Sequence, residues 1–305
     1  MDLLFVRNVP DILSWGNYQS SNSSNPRHHI RRTLVLNIHN DDHNYQSILN
    51  DLAKAIASAR LSELDLEKWR LAAFGVEPCS QEDREIIARA LKRGISASGA
   101  DWRTGAPRMN LQAFKGYVAE VLHYCIRVTL RNRNIAHPIH FEPSRPKESS
   151  GTPGIDLLEV GGVDNQFYFT VWECKGTDAV NPGSRFYNAA CQLVDKDGTA
   201  LNSFMETCRV LQEAPIIHGN DELRDFIREM PRIFYSSSPK REKKLGGIVC
   251  SHHPHTDHGI DCFPRKIDDN AFNRRSNCEA IAIHINDFIT FREDLYRTLW
   301  NIYWT

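Results

Sequence analysis

Two β-rich runs, GIDLLEV (154 to 160) and QFYFTVWEC (166 to 174), are separated only by GGVDN, and this arrangement constrains the fold more than any other part of the chain. Strand-forming residues on both sides of a short Gly/Asn/Asp segment predict an antiparallel hairpin. Side chains alternate along a strand, so Phe169, Val171, Glu173 and Lys175 share one face while Thr170, Trp172 and Cys174 share the other. Asp156 joins Glu173 and Lys175 only where it opposes an odd-numbered residue. With Gly161 opposite Gln166 it faces Val171, and the loop falls within 162 to 165. A slip of one residue would send Asp156 to the far face.

The segments around the hairpin read as alternating helices and strands. RTLVLNI (32 to 38), LGGIVCS (245 to 251) and EAIAIHI (279 to 285) are apolar runs of strand length. Helical spacing appears from 45 to 59, with Ile48, Leu52, Ala55 and Ile56 on one face. It recurs from 109 to 130, with Leu111, Phe114, Val118, Val121, Leu122 and Cys125 in a stripe and Glu120 beside it. Ser80 with Glu82 and Asp83 suggests a helix start before 81 to 93. Further helices fit 185 to 194, 201 to 213 and 222 to 229, and the C-terminal segment from Ile285 closes the chain as an amphipathic helix. The order helix, hairpin, helix, strand predicts an α/β fold, a mixed central sheet flanked by helices. Four polar zones, 20 to 29, 142 to 154, 236 to 247 and 252 to 259, read as surface loops.

Composition narrows the class. The chain has 305 residues, 41% of them apolar, enough for a sizeable core. A formal net charge of −1 excludes bulk attraction to polyanions, so any nucleic-acid site must come from a local cluster of Lys and Arg. Eight cysteines without CxxC spacing point to a reducing, cytoplasmic compartment. No run approaches the roughly 20 apolar residues of a membrane span, and no membrane partner is expected.

Two carboxylates and a lysine converging on one strand face suit phosphate chemistry. Hard divalent cations take oxygen ligands and are held by one or two carboxylates plus substrate phosphate. Asp156, Glu173 and the Cys174 carbonyl can supply such ligands, with Lys175 beside them to orient water and offset charge on an attacked phosphodiester.

In this ordered set, Glu120 in KGYVAE, Asp156 in GIDLLE, and Glu173 with Lys175 in WECKG, the chain resembles the PD-(D/E)XK nuclease superfamily. The resemblance covers about 109 to 200. It implies a restriction-endonuclease-like core over 106–305, with 1–105 as an N-terminal accessory α/β region. It further implies a nuclease using Mg²⁺, for which Mn²⁺ substitutes, with DNA as substrate. Asp156, Glu173, Cys174 and Glu120 would hold the metal, Lys175 would activate water, and Gln192 in NAACQL would be a site-ordering glutamine. At the level of family the chain looks like a bacterial restriction or antiphage effector. The Hachiman nuclease subunit, which works with a helicase as regulatory partner, is one such protein, and homodimerisation would suit double-strand cutting.

The bland readings stand beside these. Glu173 and Lys175 also fit an edge-strand ion pair, and Glu120 and Gln192 also fit ordinary helix surface. Lys115, Arg185, Lys240 and Arg241 are candidate phosphate contacts, although KREKK (240 to 244) also reads as a solvated run. CSHHPHTDHGIDC (250 to 262) is rich in zinc-ligand types but matches no finger spacing, and reads as a mobile or nucleic-acid-contacting loop. A nuclease fold kept as an inactive nucleic-acid-binding scaffold, and a zinc-binding interaction protein, are the rival readings.

Overall fold

The computed structural model describes residues 10–22, 29–36, 44–60, 82, 111–132, 139–141, 156–163, 166–194, 204–205, 207–209, 211–212, 220–236, 242–270 and 277–304. The expected helix over 81 to 93 lies almost wholly outside these residues, as do Lys240 and Arg241.

Among the described residues, seven strands form one sheet: β1 (Gly16–Asn22), β2 (His29–Leu36), β3 (Ile139–Phe141), β4 (Leu157–Val163), β5 (Gln166–Thr177), β6 (Lys243–Ser251) and β7 (Asn277–Ile285), in the spatial order β1-β2-β7-β6-β5-β4-β3. The four central strands β2, β7, β6 and β5 are parallel, and the pairs at both edges are antiparallel. The fold is therefore α/β with a mixed sheet, as expected. β6 and β7 read as continuous apolar runs because both of their faces are covered.

One face of the sheet is covered by α1 (Tyr45–Arg60), α2 (Leu111–Asn132) and α7 (Phe288–Trp304). The other is covered by α3 (Gly183–Val194), α4 (Asp221–Phe234) and α6 (Cys262–Asp268), with the single turn α5 (Asp257–Ile260) before α6. Period-two alternation distributes β5 between two cores. Trp172 and Cys174 pack with Leu122, Cys125 and Phe291, whereas Phe169 and Val171 pack with Phe186, Leu193 and Met230. α4 shows how a helix arises here: Leu223, Ile227, Met230 and Phe234 form its buried stripe, and the Asn220 side chain accepts the Leu223 N–H at 2.9 Å as N-cap.

The adjacent glycines of LGGIVCS serve opposite faces. A Cβ on Gly246 would come within 2.1 Å of the Trp172 ring, and one on Gly247 within 2.5 Å of the Phe263 ring. Gly176 plays the same part for α2, since a Cβ there would lie 2.5 Å from the Lys115 carbonyl oxygen. This close approach seats the start of α2 against the end of β5.

Several sequence expectations are corrected. The loop expected over 20 to 29 is shorter, because β1 runs to Asn22 and β2 starts at His29. The loop expected over 236 to 247 gives way to β6 at Lys243, whose side chain is fully buried and donates from Nζ to the Phe234 carbonyl at 3.1 Å. Burial lowers the Lys243 pKa to about 8. In the histidine-rich stretch only Asp257–Ile260 form a helical turn, α5, after Ser251 ends β6. The described part of the first hundred residues is built into the common sheet and core: β2 pairs along its length with β7, and Tyr45 of α1 donates to Asp294 of α7 at 2.9 Å. No helix among the described residues is long and apolar enough to cross a membrane.

Candidate active site on the β4–β5 hairpin

The hairpin register differs from expectation by two residues. Gly161 pairs with Tyr168, and Val163 pairs with Gln166 around a two-residue connection. A shift of two preserves the parity of the faces, so Asp156 stays with Glu173 and Lys175. Continuing the register sets Asp156 across from Glu173. The Asp156 N–H donates to the Trp172 carbonyl at 3.2 Å, and Asp156 Oδ2 accepts the Cys174 N–H at 2.6 Å. The aspartate is thus held by β5 at both its backbone and its side chain.

Lys175 Nζ donates to Glu173 Oε1. The Glu173 side chain is only 5% exposed and that of Lys175 is 23% exposed, so the lysine forms the solvent-facing side of the pair. Burial and the charge of Asp156 raise the Glu173 pKa well above its ordinary value, with Lys175 opposing them only in part. For Lys175, burial favours the neutral amine, but Glu173 and Asp156 outweigh it and raise its pKa. The lysine is therefore an ammonium at neutral pH. The Cys174 thiol is pushed well up by burial and by Asp156, Glu120 and Glu173, and it stays protonated 3.4 Å from His123 Nδ1.

The remaining expected residues are spread more widely. Glu120 belongs to α2 on the opposite face of the sheet, and what it shares with the pair is the surroundings of Cys174. Gln192 lies on the exposed side of α3, between the buried Ala190 and Leu193. Arg185 stands in the first turn of α3, half-buried. Lys115 is buried and bonded to Asp178 Oδ2 at 3.1 Å. In the histidine-rich stretch, Ser251 Oγ lies 2.7 Å from His255 Nε2, and burial lowers the His255 pKa to about 4.

Among the described residues, no group of three or more His, Cys, Asp or Glu side chains is arranged to hold a metal ion. The hairpin instead offers two carboxylates and a strand carbonyl. That donor set suits a hard cation that keeps waters and completes its shell with phosphate, rather than one caged by protein. The unrelieved repulsion on Glu173 is what such a cation would neutralise.

Sequence reasoning missed Asp178 and Arg292. Arg292 Nη2 donates to Asp178 Oδ2 at 3.2 Å, from 114 positions away. No protein-family model, curated protein or solved structure matches the chain.

Proposed function

We propose that this chain is a divalent-metal-dependent nuclease with a restriction-endonuclease-like core, hydrolysing phosphodiester bonds of DNA at the β4–β5 hairpin. The observation that carries the reading is that two carboxyl groups, Asp156 and Glu173, meet a single Lys175 on one strand face, which raises the Glu173 pKa. Asp156, Glu173 and the Cys174 carbonyl are the residues that would hold Mg²⁺. When bound, the ion supplies Lewis-acid polarisation of the phosphate and lowers the pKa of attacking water.

The chain's own groups have separable parts in this scheme. The Cys174 N–H holds the Asp156 carboxylate in place beside Glu173 before any ligand arrives. Lys175, held protonated, acts through charge and hydrogen bonding: it orients water and stabilises the negative charge that develops on the phosphate oxygens. Its raised pKa argues against a role as general base. The helix, hairpin, helix, strand order around the site supports the same reading.

The test is cleavage of supercoiled plasmid and of single-stranded DNA with Mg²⁺, Mn²⁺ or EDTA, comparing the native chain with Lys175→Ala and Asp156→Ala. The expected result is metal-dependent cutting that both substitutions abolish. Cutting that survives in EDTA, or in folded Asp156→Ala protein, would sink the proposal.

A further inference from the structure

The end of β5 carries a second charged cluster. Asp178 Oδ2 accepts from Lys115 Nζ at 3.1 Å and from Arg292 Nη2 at 3.2 Å, so one carboxylate oxygen faces two cations. Arg292 comes from α7 and is 2% exposed, yet its Nε and Nη1 are buried without a hydrogen-bond partner. A guanidinium desolvated to this degree with two idle donor nitrogens is costly unless something else completes its shell. Its planar fork is the geometry that recognises phosphate in bidentate fashion. Lys115 is fixed beside it by the approach of α2 to Gly176. Asp178 is the most exposed of the three at 31%, and it opens the segment leading to the exposed Val180.

We infer that Lys115 and Arg292 form a phosphate-binding subsite for a nucleic-acid strand, with Asp178 occupying it until the strand arrives. The inference rests on the nuclease reading for the identity of the strand. Two cations against one carboxylate leave a net positive charge, the reverse of the Asp156–Glu173 pair. Asp178 follows the end of β5, and its partners come from α2 and α7, which cover the face of the sheet opposite the Asp156–Glu173 pair. A phosphate reaching the site takes over the two donors that Asp178 now uses and offers acceptors to the idle ones.

A merely structural ion triad and a ligand site make opposite predictions for Asp178→Asn. Binding of a short single-stranded DNA oligonucleotide is measured by fluorescence anisotropy in EDTA, where no turnover is needed. Asp178→Asn is expected to bind about tenfold more tightly, because two charge-assisted donors are released. Lys115→Gln is expected to bind more weakly, with a salt dependence reduced by about one phosphate contact. Inorganic phosphate at matched ionic strength should raise the melting temperature of Asp178→Asn more than that of the native chain.

Unchanged or weaker binding by folded Asp178→Asn overturns the inference. If that variant does not fold, Lys115→Gln decides: an unaltered affinity and salt slope overturns it. Inorganic phosphate binding as tightly as the oligonucleotide overturns the assignment to a strand. Because the measurement is made without metal, absence of plasmid cleavage with these shifts intact would remove the nuclease reading and leave the subsite standing.

Discussion

Two buried charge clusters lie on opposite faces of the sheet, and they are built on different principles. On the α2 face, Arg127 donates to Glu159 at 2.6 Å and to Glu279 at 3.1 Å, Arg32 pairs with Glu279, and Trp172 Nε1 donates to Glu159 at 3.1 Å. Two cations meet two carboxylates. Burial works against the Arg127 charge, but Glu279 and Glu159 outweigh it and hold its pKa above the ordinary value. On the α3 face, two carboxylates share one lysine, and Glu173 is left with a raised pKa. The paired charges of the first cluster balance one another, whereas those of the second do not. Buried charge alone therefore does not mark a site; uncompensated buried charge does.

The largest effect expected from breaking this contrast is in the balanced cluster. Arg127→Met leaves the buried Glu159 without its cation and Glu279 with Arg32 alone, and should lower stability by about 3–5 kcal/mol in chemical denaturation. Next come Asp156→Ala and Lys175→Ala, expected to reduce the rate of DNA cleavage by about 10²–10³-fold, the scale of losing a preorganised electrostatic group. Asp156→Ala should not bring the loss of stability expected of Arg127→Met, because it removes a carboxylate that repels Glu173. A circular-dichroism melt beside the cleavage assay separates the two clusters.

Gly246→Ala is expected to cost about 1–3 kcal/mol by forcing the Trp172 ring from its place over the strand. Since Trp172 bonds to Glu159, this variant also probes how far the balanced cluster depends on packing.

The smallest effect is a pH dependence. The fold raises the Glu173 pKa, so the folded chain retains a proton that the unfolded chain has released. The sign follows: this contribution to stability is fully present below the ordinary Glu pKa, about 4.3. It is lost as pH rises through the higher folded value. Glu173→Gln should flatten that slope in melts taken without divalent cation.

The unbalanced site was legible in the sequence because strand alternation is a local rule. Asp156, Glu173 and Lys175 share a face whether the register is the expected one or the observed one two residues away. β6, β7 and α2 were legible from apolar period and run length. β1 was not, since GNYQSSN at a sheet edge carries almost no apolar signal. Lys243 read as part of a solvated run because its acceptor, the Phe234 carbonyl, becomes its neighbour only through the α4 to β6 turn. The balanced cluster and the Asp178 triad were invisible for a stronger reason. Glu279 lies 152 positions from Arg127, and Arg292 lies 114 from Asp178, so no local spacing links them.

The central claim, that uncompensated charge on the hairpin is a cation site, is tested most directly by calorimetric titration of Mg²⁺ into the native chain and into Asp156→Asn. The account predicts one site in the native chain, tightening as pH rises because the cation displaces the Glu173 proton, and its loss in Asp156→Asn. Equal binding by both proteins, or no binding by folded native chain at any pH above the carboxylate range, would contradict it.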